Sequence, residues 1–219
     1  MKSDAAVHMD RIYRTQRYFY DATRKFYLFG RDPMLRALQP PPGGSVLEIG
    51  CGTGRNLVQA ARLYPQARFF GLDISARMLE TARRSIARAG LGSRIAVRQA
   101  DAADFTPRAL FGENAFDRIF ISYTLSMIPV WEEVLRQAAC NLAPGGILHI
   151  VDFGRHERWP GWFRAMLRGW LARFSVAPRA ELPAAAQAVA AAQGLACRMR
   201  PHMGGYALLV EMARPSGPR

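Results

Sequence analysis

From Ser45 onward, short apolar runs alternate with stretches of helical periodicity, and this alternation restricts the fold more than any other feature of the 219 residues. SVLEIG reads as a strand followed by a helix over Asn56 to Leu63, and RFFGLDI as a strand followed by a helix over Ala76 to Ala89. The pattern continues through RIAVRQAD, FDRIFISY, a helix from Trp131 to Asn141, and the turn APGG feeding ILHIVDF. Five strands joined by helices require parallel pairing with crossovers on the sheet faces, so the expected class is α/β. Beyond residue 180 the spacing predicts an Ala-rich helix, a strand near Ala196 to Met199, a turn at Gly204 and Gly205, and a last strand YALLVEMA. With 50% hydrophobic and 21% charged residues the chain can bury a sizeable core, which excludes fibrous and disordered classes.

Residues 4 to about 29 read as a helix in which Ile12/Tyr13, Phe19/Tyr20 and Phe26/Tyr27 recur every seven residues on one face. The run QPPPGG at 39–44 cannot continue a helix, so the expected organisation is an N-terminal substrate or lid element over 1–44 and a core domain over 45–219. The start, MKSDAAVHMDRIYR, has no apolar signal stretch, and no run approaches the roughly 20 residues that span a bilayer, so a cytoplasmic protein is expected. Cys51, Cys140 and Cys197 have no metal-ligand spacing and fit reduced thiols; no metal site is expected.

Chemistry concentrates in VLEIGCGTGRNL, where Gly50, Gly52 and Gly54 form a tight turn between the first strand and its helix, open to a ligand approaching the backbone. The spacing is GxGxG, with Arg55 where a dinucleotide fingerprint would have its third glycine, so a ligand without a pyrophosphate is favoured. Asp73 ends the second strand 19 residues after Gly54, with Ile74 beside it, and a carboxylate there can accept both ribose hydroxyls of a nucleoside. Its alternative is to cap the following helix, for which Ser75 is better placed. Asp101 ends the third strand, where it can reach an adenine amino group while the Ala102 N–H meets a ring nitrogen; Asp101 or Asp104 can equally cap a turn. Loop and acids on consecutive strand ends describe a nucleoside site.

EIGCGTG, GLDIS, QADAADF, FDRIFISYTLSMI and LAPGG together resemble the class I S-adenosylmethionine-dependent methyltransferases in order and spacing. The resemblance implies a seven-stranded Rossmann-like sheet with an antiparallel last strand beside the fifth, S-adenosylmethionine as cofactor, and methyl transfer from its sulfonium. It implies that Glu48 and the three glycines line the methionine end, Asp73 the ribose, Asp101 and Ala102 the adenine, and that Ile121, Ser122 and Tyr123 lead toward the substrate. The NPPY-type signature of methyltransferases acting on nucleobase or glutamine amines is absent from FDRIFISYTL, which lowers the nucleic-acid reading.

Acceptor choice must lie outside the shared core. MDRIYRTQRYFYDATRKFYLFGRD resembles the N-methyltransferase of bacterial betaine-lipid synthesis, which trimethylates a diacylglyceryl homoserine lipid. That resemblance implies a lipid amine as substrate. Aromatic faces hold the resulting quaternary cation best, which makes Tyr13, Tyr20 and Tyr27 candidates, Tyr20 foremost, although Tyr13 and Tyr27 can equally belong to a core stripe; Tyr123 joins the catalytic candidates through its position after the fourth strand. In RWPGWFRAMLRGWLARFSVAPR, Trp159, Trp162, Phe163, Met166, Leu167, Trp170, Leu171 and Phe174 form one helical face flanked by Arg164, Arg168 and Arg173. Residues 155–179 are therefore expected to be an inserted interfacial helix on the inner membrane face, or else a helix packed on the core or a second subunit. The net charge of +13, with only Lys2 and Lys25 as lysines, fits an anionic membrane surface or nucleic acid, or a codon bias toward arginine. The competing functions are a phosphatidylethanolamine N-methyltransferase, an RNA or small-molecule methyltransferase, and a non-catalytic membrane-bound nucleoside-binding module.

Overall fold

The computed structural model describes residues 28–156, 159–172 and 176–217. The aromatic N-terminal helix expected over residues 4–29, with Tyr13, Tyr20 and Tyr27, lies outside the described residues except for its last two positions. The described chain runs α1 (Arg31–Ala37), β1 (Ser45–Ile49), α2 (Arg55–Leu63), β2 (Arg68–Asp73), α3 (Ala76–Arg88), β3 (Ile95–Gln99) and α4 (Pro107–Phe111). It continues with β4 (Phe116–Ser122), α5 (Trp131–Cys140), β5 (Leu142–Phe153), α6 (Gly161–Ala172), α7 (Leu182–Gln193), β6 (Ala196–His202) and β7 (Ala207–Ala213).

The seven strands form one sheet in the order β3-β2-β1-β4-β5-β7-β6. β1 to β5 pair in parallel, and β7 lies antiparallel between β5 and β6. All five residues of β1 are buried, as a central strand covered on both faces requires. α1, α2, α3 and α6 cover one face around Phe69 and Phe120, and α5 and α7 cover the other around Phe116 and Ile150. α3 illustrates the local logic: Met78, Leu79, Ala82 and Ile86 turn inward, arginines turn outward, and the Ser75 hydroxyl accepts the Met78 N–H at 3.3 Å as the cap.

Three features depart from the sequence reading. Residues 31–37 form a separate helix with Pro33 in its first turn, and Met34, Leu35 and Leu38 pack into the core, so residues 31–38 belong to the same packed unit as the sheet. LAPGG lies within β5 instead of preceding it, because Leu142 pairs with Phe116 and Ile147 with Arg118, and the intervening residues bulge. The apolar face of 159–174 is divided: among its described residues Leu167 and Leu171 are buried, Trp159, Phe163 and Trp170 pack partly on the core, and Trp162 (71%) and Met166 (57%) stand exposed. Leu167 and Leu171 join the same core cluster as Met34, Leu35 and Phe153, so the helix turns one row of its apolar residues inward and leaves the other outside. Phe174 lies outside the described residues.

Candidate active site

β1 stops at Ile49 and the chain turns through Gly50 to Gly54 before α2 begins. Gly50 has φ of 70°, and a Cβ there would meet Thr124 Cγ2 at 2.4 Å, so no other residue fits without displacing the loop after β4. Gly54, at φ of 74°, starts α2 against Ala82 of α3, with 3.1 Å between a built Cβ and that methyl. The loop is thus pressed between two neighbouring elements at the carboxyl edge of the sheet.

Asp73 joins this loop to β2. One carboxylate oxygen accepts the Gly52 N–H at 2.8 Å and the other accepts the Ser75 N–H at 2.9 Å. Helix capping falls to Ser75 instead, as its side chain contact shows. Glu48 is 1% exposed and accepts from Asn56 Nδ2 at 2.8 Å. It lines a cleft with Gly50, Cys51, Asn56, Ser122 and Arg31, and the Arg31 residue is only 6% exposed. Arg31 escaped the sequence reading because nothing in its periodicity distinguishes it; the signal available was its place in GRDP, immediately before the core. Burial, reinforced by the charges of Asp73 and Glu48, pushes the Cys51 thiol well up, so it stays protonated and is no nucleophile.

Ser122 lines the cleft, whereas the side chain of Ile121, on the other face of β4, is buried in the core. The Ile74 carbonyl accepts from Gln99 Nε2 at 2.8 Å, which ties the end of β2 to β3. Asp101 accepts the Ala103 N–H at 2.9 Å and so closes a turn at the exposed end of β3, with Ala102 buried beside it. Tyr123 was expected to lead toward the substrate; instead it is buried, its ring packs 4.7 Å from that of Phe153, and its hydroxyl donates to the Phe29 carbonyl. The hydrogen bond ties the segment just before α1 to the end of β4, and desolvation raises the phenol pKa well above its usual value, so the hydroxyl stays protonated and supplies no base. Tyr13 and Tyr20 lie outside the described residues. His149 is a buried strand residue whose pKa falls to about 4 through desolvation and the nearby Arg118 charge, so it is neutral despite Glu211 at 3.6 Å.

Residues 41–189 match the methyltransferase domain family, and the chain belongs to that family. Demethylmenaquinone methyltransferase of Listeria monocytogenes serotype 4a (strain HCC23) is 28% identical over 139 residues, covering 63% of this chain and 56% of that protein. Ribosomal RNA small subunit methyltransferase C of Pseudomonas aeruginosa (strain LESB58) is 35% identical over 122 residues, covering 54% of this chain and 35% of that one. The chain therefore spans about half the length, or less, of these curated relatives. An O-methyltransferase family protein from Burkholderia thailandensis superimposes with a TM-score of 0.73 at 23% identity, over 94% of this chain and 61% of that one. That likeness establishes the class I methyltransferase fold.

The family implies S-adenosylmethionine as methyl donor, and the residues present fit it. A carboxylate oxygen can accept two hydrogen bonds, so Asp73 has the chemistry for vicinal hydroxyls beside its backbone contacts. Glu48 and Arg31 put opposite charges in one buried cleft, which complements the ammonium and carboxylate of an amino-acid end.

Proposed function

We propose that the protein is an S-adenosylmethionine-dependent N-methyltransferase that methylates the amine of a diacylglyceryl homoserine lipid successively to the betaine. The observation that carries the lipid acceptor is α6, which projects Trp162 and Met166 into solvent just beyond the carboxyl end of β5. An exposed tryptophan and methionine on a chain of net charge +13 suit an anionic membrane surface. Among the described residues no helix is long and apolar enough to cross a membrane, so contact would be peripheral, at the inner leaflet.

Asp73 would hold the ribose, Glu48, Arg31 and the loop at Gly50 to Gly54 the amino-acid end, and Asp101 with Ala102 the adenine. The bound cofactor supplies an electrophilic methyl group on a sulfonium. The chain's own contribution is to hold a neutral amine in line with that methyl and to exclude water, which requires no strong base. Each methylation removes an N–H donor, whereas an aromatic ring attracts the protonated and quaternary states alike. Tyr20 is the residue assigned to that ring, with Tyr13 as its neighbour on the same face of the sequence pattern.

The test is purified protein with the lipid and labelled cofactor, resolving mono-, di- and trimethyl products by mass. Three additions to the homoserine lipid are expected, with Tyr20→Ala accumulating partly methylated lipid and Tyr20→Phe milder. Transfer only to phosphatidylethanolamine rejects the headgroup, and transfer only to RNA rejects the lipid. A second reading draws on the similarity to demethylmenaquinone methyltransferase: α6 equally suits an apolar ring acceptor in the membrane. Methylation of a quinol at carbon, with no transfer to amines, would establish that reading instead.

A further inference from the structure

We propose that the groove between α2 and α3 is a docking surface for the phosphates of an anionic lipid bilayer, the charged counterpart of the exposed Trp162 and Met166 on α6. The choice of partner rests on the lipid reading above, to which the groove adds the residues that hold the membrane. It has a volume of about 720 Å³ and opens where the two helices meet, at the contact of Gly54 with Ala82. Arg55 and Arg62 of α2 and Arg88 of α3 line it, and among the described residues none of its walls carries a carboxylate. Guanidinium forks suit phosphate oxygens, to which they give short, charge-assisted hydrogen bonds.

All three arginines are exposed, and among the described residues none of them takes a hydrogen bond or an ion pair. Exposed arginines elsewhere do, Arg68 with Glu113 and Arg136 with Glu133. α2 has no acid, and the single acids of α1 and α3 are engaged: Asp32 accepts from Gln59 Nε2 at 3.3 Å, and Glu80 lies 3.8 Å from Arg84. The Thr81 and Ser85 hydroxyls in the groove donate to the carbonyls of Arg77 and Thr81, so they offer a ligand no proton. Helix electrostatics account for Arg62 and Arg88, which stand in last turns where a cation offsets the helix dipole. Arg55 is the first residue of α2, where it opposes the dipole with no acid in that turn to compensate. Its charge costs folding stability, and an anion in the groove reverses that cost.

Spacing and surroundings select the partner. Arg55 and Arg62 are two helical turns apart, about 10 Å along the axis, so a row of anions meets the set better than one small ion does. Among the described residues no aromatic ring lines the groove, so it lacks the platform on which single-stranded bases stack. α2, α3 and α6 all cover the same face of the sheet, and α6 adds the exposed Trp162 and Met166. An exposed apolar pair finds hydrocarbon in a bilayer and none along a nucleic-acid backbone, whereas clustered arginines are drawn to anionic headgroups.

The experiment is flotation of the full chain with vesicles of phosphatidylcholine alone or mixed with phosphatidylglycerol. Wild type is expected to bind the mixed vesicles, and Arg62→Gln combined with Arg88→Gln should weaken that binding about tenfold or more. Arg108→Gln combined with Arg136→Gln removes the same charge from α4 and α5 on the opposite face of the sheet. Exposed charge acts over only about 8 Å at physiological ionic strength, so this control should bind nearly as wild type. Affinity for S-adenosylhomocysteine should be unchanged in both double variants. Arg55→Gln should weaken vesicle binding while raising the melting temperature. Equal losses from the two double variants would show that net charge alone acts and overturn the inference. Wild-type binding indifferent to phosphatidylglycerol overturns it too, as does tighter, groove-dependent binding of an RNA duplex. Methylation of the homoserine lipid in neutral detergent micelles is measured separately. Methylation there, with vesicle binding untouched by the groove pair, rejects the groove and keeps the lipid N-methylation reading; groove-dependent vesicle binding with no methylation of any lipid amine does the reverse.

Discussion

The carboxylate of Asp73 accepts the backbone N–H of Gly52 at 2.8 Å, so the acid at the end of β2 is bonded to the middle of the loop at the end of β1. Its second oxygen takes the Ser75 N–H at 2.9 Å, just before α3. One side chain therefore ties together the loop, the strand and the next helix, and the group assigned to the ribose also shapes the backbone around it.

Asp73→Ala is accordingly expected to do two things. It removes charged hydrogen bonds to the ribose, each contributing about 1.5 to 3 kcal/mol, so S-adenosylhomocysteine affinity measured by calorimetry should fall by at least tenfold. It also leaves the Gly52 and Ser75 N–H groups without this acceptor, so the melting temperature should fall as well. Unchanged affinity would remove Asp73 from the cofactor site.

Arg31 and Glu48 are expected to read the amino-acid end of the cofactor and nothing else of it. Arg31→Met keeps much of the buried volume and removes the charge, so binding of S-adenosylhomocysteine should weaken by at least tenfold, equivalent to about 1.4 kcal/mol. Methylthioadenosine, which has no amino-acid group, should bind the variant and the wild type alike. Parallel losses for both ligands would mean that Arg31 supports the loop in general and does not contact the carboxylate.

Two buried groups on β5 give opposite pH dependences. Asp152 is pushed up to about 6 from 3.8, chiefly by burial, although it accepts the Ser126 and Phe153 N–H groups. Its folded pKa lies above its unfolded one, so its contribution is fully present below about pH 4 and is lost as pH rises through 6. His149, lowered to about 4 from 6.5, behaves in reverse: a neutral imidazole is favoured by the fold, and that contribution is lost as pH falls through 4. Each amounts to roughly 3 kcal/mol by linkage, so the wild type should show little net slope between pH 4 and 6 from this pair. Urea unfolding of His149→Gln should show stability falling with pH across that window, and of Asp152→Asn stability rising. The same slope in both variants would show that other groups control acid stability.

The alternation from Ser45 to Phe153 was legible because parallel strands buried on both faces must be short and apolar, and their crossover helices must be amphipathic. The glycine turn and Asp73 were legible for a related reason: their chemistry depends on backbone approach and on position at a strand end, both of which follow from strand order. Arg31 was not, since its place in the cleft depends on how Met34, Leu35 and Leu38 dock α1 against the sheet, a tertiary fact that spacing does not encode. Ile121 and Ser122 show the limit at finer grain, for adjacent residues of a strand face opposite sides and only one can line the cleft. Tyr123 looked available from its position after β4, but the hydroxyl meets a carbonyl at Phe29, 94 residues away in sequence.

The divided face of α6 gives the last expectation. Periodicity placed Trp162, Met166, Leu167 and Leu171 on one apolar surface, whereas the fold buries Leu171 to 1% exposure and leaves Trp162 and Met166 outside. The two pairs should then fail in different assays. Leu171→Ala opens a cavity and should destabilise the protein by about 2 to 5 kcal/mol. Trp162→Ala combined with Met166→Ala removes exposed side chains and should shift stability by no more than roughly 1 kcal/mol. The double variant should instead sediment less with anionic vesicles at every salt concentration, because its loss is apolar and is not screened. Wild-type binding should weaken as salt rises, since exposed charges are screened over about 8 Å at physiological ionic strength. Vesicle binding that survives the double substitution would move the membrane contact away from α6, and wild-type protein that ignores anionic vesicles would leave the lipid acceptor without its structural support.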